Sequence, residues 1–500
     1  MGLPVGLHNP MNALAAHQTI LTRVAAFAKT RSLPCYLVGG FLRDRLLDRP
    51  RLPWNVDLAT PGDSLTFAKA LAQQLGGSYV CLDEATKTGR VIVPTDGNRL
   101  ELDTSELRGP TIEEDLARRD FTINAMAVTL DVWCAGPGWE RKVIDPLHGS
   151  EDLRAKRLRA CFPGTFDDDA IRILRAFRFA VELECTLDPA MTPLIAQAAP
   201  RLSGIAGERI RDELFAILRT DRASDALRQL EALHVLDVLF PELVHGRGVE
   251  QGGYHHLDVL GHQLEAVSQC DRVLSDFAEF AKPLRAPMTT YCAAILVERR
   301  TRKALIKLSA LFHDVGKPAT RRVKSDGEIW FLGHDQFGAM LVPALAERLR
   351  LSKRESELLY KLVLYHLRPG HLSREPELTA RAIFRFFRDL GEDGPACLLM
   401  WWADRMATRG PYSRLDQLDQ QRARLEELLT AYFLKAEEVV KPPRLVDGRQ
   451  LMEALGITPG PAVGKLLRAV EEAQAEGRIR SKEEALQLAQ TYLHSPPDEL

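Results

Sequence analysis

The rhythm of hydrophobic and polar positions changes once along the chain, near residue 150. Before that point short apolar runs alternate with turn signals. Residues 11–30 carry apolar positions at helical spacing and predict an amphipathic lead-in helix. The run 35–38 predicts a strand entering a turn at Gly39-Gly40, with Arg43 and Asp44 on a helix start beyond it. A Pro-punctuated loop leads to a second short strand, 56–59, with Asp57 inside it. Segments 79–82, 90–94 and 100–104 read as strands, and Asp96-Gly97 between the last two is a hairpin signal. Residues 35–145 therefore predict an α+β block with a mixed or mostly antiparallel sheet. Beyond residue 150 the period is helical, save for a hairpin pattern over 322–331. The glycine-rich loop 246–253, the stretch 409–413 and Pro442-Pro443 are breaks, and no internal repeat interrupts the series.

Five hundred residues exceed one hydrophobic core, so two to four domains are expected. Net charge is -2 and the pI is about 6.7, so a nucleic-acid partner needs local basic patches rather than global steering. The 66 Lys and Arg suffice to build them. Eight Cys without a C-x-x-C pair argue against a zinc ribbon and a disulfide framework. The N-terminus lacks the basic-then-apolar order of a signal peptide, and Gly6 stands where myristoylation wants Ser or Thr. No apolar run is long enough to span a bilayer, so a reducing cytoplasm and no membrane partner are expected.

The stretch 37–60 joins a strand, a Gly-Gly turn, a helix start and an acid-bearing strand. Backbone N–H groups at such a turn can face phosphate, and a strand holds carboxylates rigidly for metal. Gly39, Gly40, Arg43, Asp44 and then Asn55-Val56-Asp57 resemble the signature of the tRNA nucleotidyltransferase (CCA-adding) and bacterial poly(A) polymerase family. In that family a D-x-D strand offers two carboxylates on one face, since strand side chains repeat every second residue. Here the first Asp is Asn55, which brings no charge. Asp103 falls where the family's third acid would, with Glu101 on the same face as the alternative. The resemblance implies a two-metal Mg²⁺ site at Asp57, Asn55 and Asp103, short of one negative charge. Such a deficit slows phosphoryl chemistry by orders of magnitude.

Further blocks carry the likeness to about residue 245. Arg118, Arg119, Asp120 and Asn124 lie in RRDFTINAM; the arginines can take phosphate, and Asp120 and Asn124 are one helical turn apart. Arg108 can reach the triphosphate too. Asp145-Pro146 to Leu153 resembles the family's hinge block. In FDDDAIRILRAFRFA, Asp168, Asp169, Arg172, Arg175, Arg178 and Phe179 match the family's neck, with Asp for Glu at 168. Asp169 and Arg172, three apart on one predicted helix face, correspond to the pair that reads the Watson–Crick edge of CTP or ATP. Residues 207–219 match the helix that supports the neck.

A second set follows: His262, His313-Asp314, His334, His366 and Asp404. Their order resembles the HD phosphohydrolase domain, which implies a divalent transition metal such as Mn²⁺ or Ni²⁺. His262, His313, Asp314 and Asp404 would form the primary site, His334 and His366 would extend it to a second ion, and Lys317 could contact phosphate. In the tail, Gly460-Pro461 before a helix, with Arg478, Arg480 and Lys482, could touch an RNA backbone.

The expected architecture is an α+β nucleotidyltransferase head (1–150), an all-α neck for base recognition and RNA binding (151–245), an HD body (246–410) and a helical tail (411–500). The expected activity is template-independent addition of C, A or both to the 3′ end of tRNA or another RNA. Poly(A) polymerase is one alternative. An HD phosphohydrolase with a non-catalytic RNA-binding head is another. No motif bears on oligomeric state.

Overall fold

A computed structural model describes residues 10–49, 55–95 and 98–493. The N-terminal leader reading, the Pro-punctuated loop and the Asp96-Gly97 turn fall outside them, in whole or in part. The chain divides into two compact units, residues 1–202 and 203–500.

The first unit begins with helix α1 (Pro10–Thr30) and strand β1 (Tyr36–Val38). Strand β1 runs straight into α2 (Gly39–Leu46) because Gly39 takes φ +70, a conformation that disfavours any Cβ. Strand β2 (Asn55–Thr60) follows, then α3 (Ser64–Leu75). Helix α3 starts where the Asp63 carboxylate accepts from Leu65 and Thr66 N–H, and ends at left-handed Gly76. Strands β3 (Ser78–Asp83), β4 (Thr88–Thr95) and β5 (Asn98–Glu106) form a meander. Helix α4 (Ile112–Ala117) and β6 (Ala127–Thr129) complete the sheet region. The sheet order is β3-β4-β5-β2-β1-β6, and β2 pairs β5 in parallel while the other neighbours are antiparallel. The mixed sheet expected from the sequence is therefore present. Alternation sorts its faces: Val56 and Leu58 of β2 and Leu100 and Leu102 of β5 are fully buried, and Asn55, Asp57 and Asp103 point to the other side. Helix α5 (Arg172–Leu183) buries Ile173, Leu174, Phe177 and Ala180.

The second unit is helical. Helix α6 (Val259–Asp276) packs against α7 (Arg302–Phe312) and α11 (Gly394–Ala407), and α8 (His334–Arg348) against α9 (Lys353–Tyr365). A capping box fixes the start of α9: Ser352 accepts from Glu355 N–H while Glu355 accepts from Ser352 N–H. Helix α10 (Ala380–Leu390) turns Arg381, Arg385 and Arg388 onto Glu472 of α12 (Pro461–Ala475). The hairpin expected over 322–331 forms as two paired dipeptides. Two further short ladders, 157–158 with 186–187 in the first unit and 295–297 with 300–301 in the second, were not anticipated, because two or three residues carry no alternation to read.

Candidate active site and metal centre

In the first unit a cavity of about 470 Å³ opens over β2 and β5. Asn55, Asp57 and Asp103 line it on one side. Asp57 and Asp103 are direct partners across the parallel pair. Burial, and then the facing Asp103, push the Asp57 carboxyl up to about 6, against the pull of Arg119 and the Gly40 N–H. Gly39 lets the backbone come this close: a Cβ there would stand 2.8 Å from Asp57 Oδ2. Two carboxylates crowded in this way fit a divalent cation, which would relieve their repulsion. Asn55 adds no charge; its amide donates to Asp103 Oδ2 at 3.1 Å.

The opposite wall is a polar relay linking separate sequence blocks. Arg43 donates to Asp44 Oδ1 at 2.8 and 2.7 Å and to Asn124 Oδ1 at 2.7 Å. Asn124 in turn donates to Asp120 Oδ1 at 3.2 Å, and Arg175 lies 3.4 Å from Asp120 Oδ2. Burial opposes ionisation of Asp120, but Arg175 and the Asn124 amide outweigh it and hold its carboxyl below the usual value. Arg43, Asp120, Asn124, Arg172, Arg175 and Arg178 all face the cavity, with Gly39 and Gly40. Asp44 does not; it steadies Arg43 from behind. Asp120 and Asn124 meet across a 3₁₀ turn, Thr122–Asn124, rather than an α-helical one.

Two expectations about side-chain direction are corrected. Arg118 and Arg119 do not line the same cavity. Arg119 faces the cavity and holds Asp115 at 2.9 Å. Arg118 turns into an adjoining cavity beside Lys87 and Asp168 and donates to the Arg108 carbonyl at 2.8 Å; Arg108 lines both spaces. Asp169 and Arg172 do not share a helix face. The turn Thr165–Asp168 ends before Asp169, which is extended at φ -157, and α5 begins only at Arg172. The Arg172 guanidinium donates to the Thr165 carbonyl at 3.3 Å. The spacing of three therefore spans a helix break, and Asp169 lines neither of these two cavities.

The second unit gathers all six residues of the second set. His262 comes from α6, His313 and Asp314 from the end of α7, His334 from the start of α8, His366 from the end of α9 and Asp404 from α11. They form two groups that could each hold a metal ion: His262, His313 and Asp404, and Asp314, His334 and His366. Asp314 stands between them. Its Oδ2 is 3.1 Å from His313 Nε2, and its Oδ1 is 3.2 Å from His334 Nε2 and 3.6 Å from His366 Nε2. Carbonyls of Ala310, Phe331 and Val363 accept from Nδ1 of His313, His334 and His366 at 2.7–2.8 Å, which aims each Nε2 inward. His313 Nε2 is buried without a hydrogen bond of sound geometry, as an atom awaiting a metal would be.

Burial alone would lower the His313 imidazole, but Asp314 and Asp404 outweigh it and raise it to about 10. Burial, then His334 and His313, lower His366 to about 3, the free base that coordination requires. Gly316 permits the packing: a Cβ there would meet the His334 carbonyl at 2.1 Å. Lys317 reaches Asp314 at 2.5 Å and Gln251 Oε1 at 2.7 Å. A cavity of about 490 Å³ opens on this cluster, with Arg374, Arg405 and Arg414 among its lining.

A relative from Deinococcus radiodurans, an A-adding tRNA nucleotidyltransferase, is 36% identical over 468 residues, covering 92% of this chain and 96% of the relative. The chain belongs to the tRNA nucleotidyltransferase family. A second member of the family, the CC-adding tRNA nucleotidyltransferase of Thermus thermophilus, is 35% identical over 90% of this chain and 91% of its own. The poly A polymerase head domain matches residues 35–159, the HD domain 286–406 and the tRNA nucleotidyltransferase domain 2 residues 397–489. A CCA-adding enzyme in its apo form I aligns at TM-score 0.64 with 20% identity over 95% of this chain and 94% of that one. A Thermotoga maritima CCA-adding enzyme complexed with tRNA aligns at TM-score 0.61 with 22% identity over 95% of each chain. These structures establish a shared fold. The nucleotidyltransferase and HD domains together point to divalent-metal dependence. No helix among the described residues is long and apolar enough to cross a membrane.

Sequence reasoning missed several residues of these sites, among them Arg90 and His255, as well as Asp115 in the first and Gln251, Arg374, Arg405 and Arg414 in the second. Arg90 on β4 donates to both Asp103 oxygens, at 2.7 and 2.8 Å. His255 stacks edge-on against His262 with ring centroids 4.5 Å apart, and it lines the second cavity. Arg90 could be found only through the β4–β5 register, and His255 only through its place before the HD helix.

Proposed function

We propose that this protein adds C, A or both to the 3′ end of tRNA, taking CTP or ATP as donor, without a template. The observation that carries the reading is the head cavity in which Asp57, Asp103, Arg43, Asn124, Asp120 and Arg119 converge from four separate sequence blocks. Asp57, with Asp103 and Asn55 beside it, would hold Mg²⁺, which when bound lowers the cost of charge developing on the transferring phosphate. Arg119 and Arg108 take phosphate oxygens, and the Gly40 N–H already donates into the site at Asp57. Arg43, Asn124 and Asp120, locked to one another, offer fixed polar atoms to the ribose. Arg172, with Arg175 and Arg178 on the same wall, presents donors to the base edge; Asp169 would join it only if the break before α5 turned inward. Relatives of both A-adding and CC-adding kinds match almost equally well, at 36% and 35%, so the nucleotide is left to the assay. The domain limits expected from the sequence (1–150, 151–245, 246–410, 411–500) are retained as working boundaries, and the cytoplasm as the place of work. Transcripts of tRNA ending at the discriminator base, at C and at CC, each given CTP or ATP with Mg²⁺, test the reading. Addition to at least one supports it.

A second activity is supported by the bridged arrangement of His262, His313, Asp404, Asp314, His334 and His366. These residues would hold two ions such as Mn²⁺ or Ni²⁺, which when bound would supply an activated water for phosphoester hydrolysis. Lys317 and the cavity's arginines would neutralise the phosphate. Release of phosphate from a phosphomonoester, or opening of a phosphodiester, that is lost in His313→Ala tests this activity.

A further inference from the structure

Three polar side chains stand abreast on one face of the head sheet. Arg90 of β4 is the direct partner of Asp103 on β5, and Asp103 is the direct partner of Asp57 on β2. Arg90 grips Asp103 with both prongs, Nε to Oδ1 at 2.7 Å and Nη2 to Oδ2 at 2.8 Å. Its third nitrogen, Nη1, lies 2.9 Å from Glu101 Oε2. The Asn55 amide adds a further donor to Asp103 Oδ2 at 3.1 Å. A carboxylate accepts about four hydrogen bonds, so about three of the positions on Asp103 are filled by the protein itself. Glu101, the other acid on this strand face, carries Arg99 as well, at 3.0 Å.

Two divalent ions side by side need a dense anionic cradle. Here one carboxylate is an amide, and the guanidinium of Arg90 is shared between two more, with Arg99 also on Glu101. Among the described residues, Asp57 is the acid of this sheet face that faces the cavity with no arginine gripping it as Arg90 grips Asp103. A bidentate guanidinium–carboxylate pair is among the strongest contacts available to a carboxylate and does not yield readily to a second ion.

We propose that Arg90 is a built-in cation of the head: with Asn55 it fills the position at Asp103 that a second metal ion would take, and the head works with a single divalent cation held by Asp57 and the nucleotide's phosphates. Arg90 is thus a positioning residue, acting through Asp103. The inference rests on the nucleotide-transfer reading of the head.

The test counts ions rather than turnover. The full-length protein is dialysed against Mn²⁺ with and without a non-hydrolysable CTP or ATP analogue, and the nucleotide-dependent increment in bound Mn²⁺ is measured. Ions at the second cluster are present in both arms and cancel. The increment expected is one per chain for the wild type and for Arg90→Lys, which keeps the charge. It rises to two for the Asn55→Asp/Arg90→Ala double variant. An increment of two in the wild type overturns the proposal, as does an increment of one in a double variant whose circular dichroism matches the wild type. If the double variant does not fold, the Asn55→Asp and Arg90→Ala single variants take its place: a rise above one in either supports the proposal, and no rise in both overturns it. An increment of zero in every protein overturns the nucleotide reading and this inference with it, so the two failures are told apart.

Discussion

At the scale of single residues, the head is decided by a few close approaches. Gly39 sits at φ +70 with Asp57 Oδ2 where its Cβ would be. Gly39→Ala should therefore lose more than about 1 kcal/mol of stability and shift the carboxylate that the reading assigns to metal. A thermal melt and the nucleotide-addition rate check both effects. Asn124→Ala removes the acceptor of Arg43 and the donor to Asp120 together. A rise of about tenfold or more in KM for the nucleotide is expected, since a buried guanidinium loses a charge-assisted bond of about 1.5–3 kcal/mol. In the second cluster His313 carries a proton below about pH 10 when no metal is bound. That proton must leave before Nε2 can coordinate. Metal affinity there should accordingly rise with pH across the neutral range, and flatten as His313 is replaced by Ala. Titration of Mn²⁺ or Ni²⁺ binding at several pH values measures it.

At the scale of elements, the strands and metal-bearing helices were legible and the junctions were not. Asn55 and Asp57 could be read as sharing a face because strands repeat every second residue, whereas Asp103 was placed with them by the family resemblance; the structure pairs Asp57 with Asp103 across β2 and β5. The six residues of the HD set could be read from their order, because each sits on or beside a well-marked helix. Arg90 was out of reach: its bond to Asp103 depends on the register of β4 against β5, which no local pattern encodes. The break at Asp169 was also hidden, since a spacing of three reads as helix when the backbone leaves the helix between the two positions. The hinge element gives a stability prediction. Asp152 is fully buried and accepts from Thr122, Arg157 and Arg159 at 2.7, 2.7 and 2.9 Å. Burial would raise its carboxyl, but those partners outweigh it and hold it below the ordinary value. Its contribution is therefore complete above the unfolded carboxylate range near pH 4 and is lost as pH falls through the lower folded value. Asp152→Asn should cost about 2 kcal/mol at neutral pH, and the gap from wild type should close only below about pH 4 in denaturant melts.

At the scale of the whole molecule, the two candidate centres belong to different compact units, the head cavity to residues 1–202 and the six-residue cluster to residues 203–500. The chain matches its relatives over nine-tenths of its length, so both centres are part of one family architecture. Chemical independence of the two is expected: Asp57→Asn should abolish nucleotide addition and leave phosphoester hydrolysis intact, and His313→Ala should do the reverse. Parallel assays of the two variants check it. The chain departs from the family pattern conservatively at Asp168, which keeps its carboxylate, and with loss of a charge at Asn55 in the head. On the reading proposed above, the head cavity transfers nucleotides to tRNA despite one missing carboxylate. The most direct measurement is single-turnover extension of tRNA transcripts ending at the discriminator base, at C and at CC, with CTP or ATP and Mg²⁺, by wild type, Asn55→Asp and Asp57→Asn. Slow addition by the wild type to at least one transcript is expected, with addition faster by about tenfold or more in Asn55→Asp and none by Asp57→Asn. No addition by either of the first two, or addition that survives Asp57→Asn, would contradict that reading.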